Sequence, residues 1–285
     1  MRFPRPFDVA SMTFCALFAS PAAAQTVVLS PVADATLYES SNGSIANGTG
    51  QSMFAGLTLR GAGFRRALLR FDFSSIPAGS VITGAELTLE VTRSNSAPCD
   101  VTLHRVLASW GEGPSFASEP GGLGNDALPG DTTWLHRFYP TVFWSAVGGD
   151  FVPGASASAV ADGLGAVVWT ATPGMLADLN AWHSSPATNF GWLLQSFSAD
   201  SNSARRFGSR ESSIPADRPR LELTYAPFCE VCRADVNCDG AVDGDDVIAF
   251  FTPWDNGLAE GDFNNDGSID GDDVIGFFAR WDAGC

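Results

Sequence analysis

Ala85-Glu86-Leu87-Thr88-Leu89-Glu90-Val91-Thr92 decides the fold class. Ala85, Leu87, Leu89 and Val91 take every second position, and charged or hydroxyl side chains fill the places between. Successive side chains of an extended chain point to opposite faces, so the stretch predicts a strand with one buried and one wet face. Similar stretches are Leu69 to Phe73, Val101 to Val106, Val167 to Trp169, Trp192 to Phe197 and Leu221 to Tyr225, separated by Gly, Pro, Ser and Asn. Many short strands with such turns predict a mainly β domain, a jelly-roll-like β-sandwich. One helix is expected within it. Thr172 is placed to cap, Pro173 suits the first helical position, and Met175, Leu179 and Trp182 share a face that closes one end of the sandwich. From Trp110 to Phe151 the strand pattern weakens and Gly and Pro are frequent, which predicts long loops of the kind that carry binding residues.

Both ends of the chain read differently. Arg2 and Arg5, the apolar run Val9 to Phe18 and Ala22-Ala23-Ala24 before Gln25 have the order of an export signal, so residues 1–24 are expected to be cleaved. The apolar run is too short to cross a hydrocarbon core, which needs about 20 residues. The sandwich then spans 25–228, with its boundary at Ala226-Pro227-Phe228, and a small domain occupies 229–285. That tail holds 14 Asp and Glu against Arg233 and Arg280, a net of −12. Such a surface repels nucleic acid and anionic membranes and attracts cations. Four of the six cysteines, Cys229, Cys232, Cys238 and Cys285, also lie there. In an exported protein this clustering predicts disulfides in a domain too small to hold itself by core burial. A zinc or redox role for Cys229 and Cys232 fits less well, because the tail has no His. Four cysteines allow three pairings.

From Asp235 the chain reads D-V-N-C-D-G-A-V-D-G-D-D-V-I-A-F-F, and from Asp262 it reads D-F-N-N-D-G-S-I-D-G-D-D-V-I-G-F-F. Each copy fits a twelve-residue calcium loop, with oxygen donors at positions 1, 3, 5, 9 and 12, a backbone carbonyl at 7 and Gly at 6. The first set is Asp235, Asn237, Asp239, Ala241, Asp243 and Asp246, and the second is Asp262, Asn264, Asp266, Ser268, Asp270 and Asp273. Two calcium ions are therefore expected. A solvated acidic linker has no reason to repeat the ligand positions in register. Each loop runs into an apolar stretch at helical spacing, Val247, Phe250, Phe251 and Trp254, then Val274, Phe277, Phe278 and Trp281. Pro253 is expected to end the first helix, and no helix pattern precedes either loop.

A loop followed but not preceded by a helix, repeated once, with Asp at position 12, resembles the dockerin domains of bacterial polysaccharide-degrading systems. The terminal Ala283-Gly284-Cys285 is similar to the GC-type subgroup. This resemblance implies a cohesin-like or cell-surface anchoring partner. It also implies pairing of Cys232 with Cys285, hence Cys229 with Cys238, leaving Cys99 free and buried. The chain departs from cohesin-binding dockerins at loop positions 10 and 11, Gly244-Asp245 and Gly271-Asp272, where those often carry Ser-Thr. In the large domain, Asp34-Ala-Thr-Leu, Ala67-Leu-Leu-Arg-Phe-Asp-Phe, Asn189-Phe-Gly-Trp-Leu-Leu, Ser209-Arg-Glu and Arg218-Pro-Arg-Leu-Glu-Leu-Thr-Tyr resemble the DNRLRE family. Those are extracellular sandwiches similar to carbohydrate-binding modules, some of which bind alginate.

The function expected is therefore a secreted, non-enzymatic one: the sandwich binds an extracellular polysaccharide, acidic ones among the candidates, and the tail anchors the protein. Trp134, His136, Arg137 and Tyr139 are the candidate glycan contacts, combining aromatic faces with an imidazole and a guanidinium. The competing reading has these aromatics packing the loops onto the sandwich. Two alternatives differ in class. A lyase built on His136, Arg137 and Tyr139 or a glycosidase would release product, and a structural surface protein would bind no glycan.

Overall fold

The computed structural model describes residues 24–58, 63–94, 97–196, 203–227 and 231–284. Residues 1–23 of the export signal expected over 1–24, the end of the 192–197 strand, Phe228, Cys229 and Cys285 lie outside the described residues. The strands are β1 (Gln25–Leu29), β2 (Ala33–Tyr38), β3 (Ile45–Ala46), β4 (Ser52–Leu57), β5 (Phe64–Arg70), β6 (Ser80–Ser94), β7 (Cys99–Arg105) and β8 (Asn125–Asp126). They continue as β9 (His136–Phe138), β10 (Val142–Phe143), β11 (Ala157–Ala161), β12 (Gly165–Thr170), β13 (Trp192–Ser196), β14 (Arg205–Gly208) and β15 (Arg220–Pro227). Among the described residues eleven of them form one sheet, in the order β1-β15-β6-β14-β4-β5-β13-β7-β11, with β12 on β6 and β2 on β5. The ladders are antiparallel, as a mainly β reading requires.

The sheet curls on itself at β4. Ser52–Ala55 pair with β14, whereas Gly56 and Leu57 pair with β5. Gly56 sits at the change of partner with φ 114°, and a Cβ there would lie 2.3 Å from the Ser203 carbonyl oxygen. No other residue type fits that backbone at that distance. The inner faces then share one core. Leu87, Leu89, Val91, Phe207, Leu221 and Leu223 come from one half, and Leu69, Val101, Leu103, Trp192 and Leu194 from the other. The alternation at 85–92 is observed as written, with Leu87 and Leu89 fully buried and Ala85 partly so.

Several details differ from expectation. The strand read at Leu69 to Phe73 stops at Arg70, because Asp72 accepts hydrogen bonds from Ser74 N (3.0 Å) and Ser74 Oγ (2.8 Å) and turns the chain. β2 and β4 gave no alternating signal. All six residues of β2 are buried, and a strand covered on both faces has no period-two pattern to read. The 110–151 segment is a packed cover, with Trp110, Trp134 and Trp144 in a second core with Leu37, Leu68 and Leu193. The helix Pro173–Ser184 forms as expected, with Thr172 Oγ1 accepting from Met175 N at 3.1 Å. Its Met175, Leu179 and Trp182 enter the main core. Asn180 fixes it to β6, accepting from Ile82 N and donating to Ile82 O, each at 2.9 Å.

In the tail, helices Gly244–Asp255 and Gly271–Ala283 follow the two loops and pack around Phe250, Phe263 and Phe277. Phe250 and Phe277 stack at 4.5 Å and 6°. Pro253 does not end the first helix but lies within it, one residue before Trp254. The last turn is held from outside the helix, by a bond from Trp254 Nε1 to the Asp270 carbonyl at 3.0 Å. Among the described residues, no helix is long and apolar enough to cross a membrane.

Candidate functional site

Each acidic loop is shaped by its own backbone N–H groups, which donate to its oxygens, and the set recurs bond for bond. In the first, Asp235 accepts from Asp239 N (3.1 Å) and Gly240 N (3.0 Å), and Asn237 accepts from Asp239 N (2.9 Å). Asp239 accepts from Ala241 N (2.9 Å), and Asp246 from Asn237 N (3.1 Å) and Asp243 N (2.9 Å). In the second, Asp262 accepts from Asp266 N (3.1 Å) and Gly267 N (2.9 Å), and Asn264 from Asp266 N (2.8 Å). Asp266 accepts from Ser268 N (2.8 Å), and Asp273 from Asn264 N (3.1 Å) and Asp270 N (2.9 Å). The backbone repeats as well. Gly240 and Gly267 have φ 89° and 88°, and the residues two before them, Cys238 and Asn265, are left-handed at 63° and 58°. Asp243 and Asp270 cap the two helices, each in a reciprocal box with the aspartate three residues on.

The charge in these loops has no internal counterpart. Asp235 is 1% exposed and Asp246 and Asp273 are wholly buried, yet among the described residues no loop carboxylate has an ion-pair partner. The N–H groups of Asp270 and Asn264 hold the Asp273 carboxyl below its ordinary range. Buried carboxylates are costly without a cation. A set of Asp and Asn oxygens is what a hard divalent cation takes, so the residues present fit calcium.

Cys232 and Cys238 are each disulfide-bonded, the partners expected for them, Cys285 and Cys229, lie outside the described residues, and Cys99 is a free thiol. Cys99 is half-buried rather than buried, with Sγ 3.0 Å from Ser196 Oγ at the start of β7.

The structure does not gather Trp134, His136, Arg137 and Tyr139 into an open surface. Trp134 is buried in the second core, and the Arg66 guanidinium lies over its ring at 4.9 Å. His136 is buried between Tyr139 and Phe143, with ring centroids at 5.1 and 4.3 Å, and burial lowers its pKa. Arg137 donates from Nη1 to the Ser109 carbonyl at 2.9 Å. The first two side chains therefore pack the cover onto the curled sheet, and neither offers a free face to a sugar ring. Cover of this extent, with its own tryptophan core, has to bury such aromatics.

One constellation escaped the sequence reading. Among the described residues, Asp34, Glu112 and Glu211 are the set of three carboxylates with oxygens within 4.8 Å of one another. Arg210 already stands among them, paired bidentately with Glu112 through Nε and Nη2, both at 2.8 Å, and with Glu211 at 2.8 Å. Its backbone N–H donates to Asp34 Oδ2 at 2.7 Å. Burial pushes the Asp34 carboxyl well above its usual range, and raises Glu211 too. The network clamps β2 to two distant loops. Its residues lie 78 and 176 positions from Asp34, so no local pattern announces them.

No protein-family model matches the chain, and none of the curated proteins matches it. The resemblances to the DNRLRE and dockerin families thus stand on the residues quoted above alone.

Proposed function

We propose that this chain is an exported, calcium-loaded binding protein without catalytic activity. Residues 25–228 form a jelly-roll-like sandwich that holds an extracellular polysaccharide, and residues 229–285 form a dockerin-type tail that tethers it to a surface or complex. The observation that carries the reading is the repeated loop, the same bonds to the same oxygens around buried carboxylates that have no ion-pair partner among the described residues. In each loop the side-chain oxygens of positions 1, 3, 5, 9 and 12 and the carbonyl of Ala241 or Ser268 would hold one ion. When bound, calcium supplies the charge that lets the loop and its helix order together. The tail also presents Ile248 and Ile275, 66% and 68% exposed, at the same position of the two copies. Paired apolar side chains in open solvent suit a tethering partner.

The test is calorimetry of the mature chain with calcium and with chelator, together with retention on immobilised polysaccharides and assay of the supernatants. At a thousandfold excess over the dissociation constant each ion adds about 4 kcal/mol, so the tail transition should vanish in chelator while the sandwich transition stays. Identical traces in both buffers would sink the calcium reading. Turnover products would make the protein an enzyme, and an absence of retention on every glycan would make it structural.

A further inference from the structure

At their fourth position the two acidic loops agree in shape and part in chemistry. Cys238 has φ 63° and Asn265 φ 58°, and among the described residues these are the non-glycine positions with a left-handed backbone. The next N–H along, of Asp239 or Asp266, meets two ligand-type oxygens at once. In the first loop these are Asp235 Oδ1 at 3.1 Å and Asn237 Oδ1 at 2.9 Å, and in the second Asp262 Oδ1 at 3.1 Å and Asn264 Oδ1 at 2.8 Å. Turning that N–H inward is what the left-handed residue before it does. Asn enters this region readily because its short amide bonds locally, whereas cysteine has no such group and resists it. The first loop has a covalent restraint instead: Cys238 is disulfide-bonded, and Cys229, the partner expected for it, lies outside the described residues.

The restraint is also within reach of a reagent. Cys238 is exposed, whereas the other disulfide-bonded cysteine of this segment, Cys232, is 1% exposed. Thiol–disulfide exchange proceeds by attack of a thiolate on a bridge sulfur, so access selects Cys238. We infer that the Cys238 bridge is a thiol–disulfide exchange site whose state sets the calcium affinity of the first loop and not of the second. The co-reactant is an extracellular dithiol. Its thiolate attacks a bridge sulfur, the S–S bond breaks and a mixed disulfide forms, and its second thiol then displaces the remaining cysteine. Two electrons and two protons pass to Cys238 and its partner, and the dithiol leaves as a disulfide. The opened loop keeps every ligand-type oxygen, but its fourth residue is then an unrestrained cysteine that disfavours the turn. Linkage makes the effect reciprocal, so calcium in the first loop favours the closed bridge. The inference rests on the calcium reading above.

The experiment titrates the mature, oxidised chain with calcium against a chromophoric chelator, Asp235→Ala and Asp262→Ala assigning the affinities to loops. The titration is repeated in dithiothreitol, and alkylated aliquots are peptide-mapped to show which cysteines have opened. Cys238 should open before Cys232, the first loop should then bind about fivefold to thirtyfold more weakly, and the second should be unchanged. In mixtures of reduced and oxidised dithiothreitol, calcium should shift the wild-type bridge toward the disulfide by the same factor, a readout that needs no variant to fold. Cys238→Asn, which installs the residue of the second copy, should bind calcium in the first loop more tightly than Cys238→Ser, each made together with Cys229→Ser. A Cys238 bridge that resists dithiothreitol or opens after Cys232, an opened bridge with unchanged first-loop affinity, equal losses in both loops, or equal affinities of the Asn and Ser variants overturns the inference while leaving two calcium loops. Calcium bound by neither loop in any state overturns both.

Discussion

Trp254 offers the sharpest test of how the two acidic loops are related. It lies in the last turn of the first-repeat helix, yet its Nε1 donates to the Asp270 carbonyl of the second loop at 3.0 Å. Asp270 is both a ligand-type residue and the cap of the second helix. Trp281, the equivalent residue of the second copy, packs on Phe277 at 5.7 Å and, among the described residues, makes no such bond. The repeat is therefore symmetric in its loops and asymmetric in its bracing. Trp254→Phe keeps an aromatic ring against Phe251, now 5.7 Å away at 80°, and removes only the donor. A net hydrogen bond contributes about 1 kcal/mol, so the second loop should bind calcium roughly fivefold more weakly and the first should be little changed. Trp281→Phe should alter neither. Competition titration against a chromophoric chelator resolves two affinities, and Asp235→Ala or Asp262→Ala assigns them to loops. Unchanged affinities in Trp254→Phe, or equal losses in Trp254→Phe and Trp281→Phe, would refute the asymmetry.

Two further outcomes are expected in the curled-sheet part of the chain. Asp34 and Glu211 have folded-state pKa values raised by burial, so the stability they confer is full below their unfolded values, near 4, and is lost as pH rises through the folded values. Asp34→Asn should flatten that decline and raise the unfolding temperature at pH 8, and a lower temperature than wild type there would count against the assignment. Trp134→Ala should cost about 3–5 kcal/mol in chemical denaturation, since it empties part of the second core. Measured where the variant is still folded, its glycan retention should match wild type, and a selective loss would restore the 134–139 segment as the contact surface.

Local patterns made much of this protein legible. The alternation at 85–92 placed β6 and its buried face, because one side of that strand meets solvent and the other the core. Thr172, Pro173 and the Met175, Leu179, Trp182 stripe placed the helix, since caps and helical faces are set within a few residues. The two repeated acidic loops were legible for the same reason, twelve contiguous residues folding on their own N–H groups. Tertiary structure alone decided what depends on residues far apart. β2 hid because both its faces are covered. The sequence left Trp134 and His136 open between glycan contacts and packing aromatics, and their burial beside the cover's own core came only with the tertiary structure. Arg210 reaches Asp34 across 176 positions. Burial and unanswered polar groups are properties of neighbours, and the chain order does not name the neighbours.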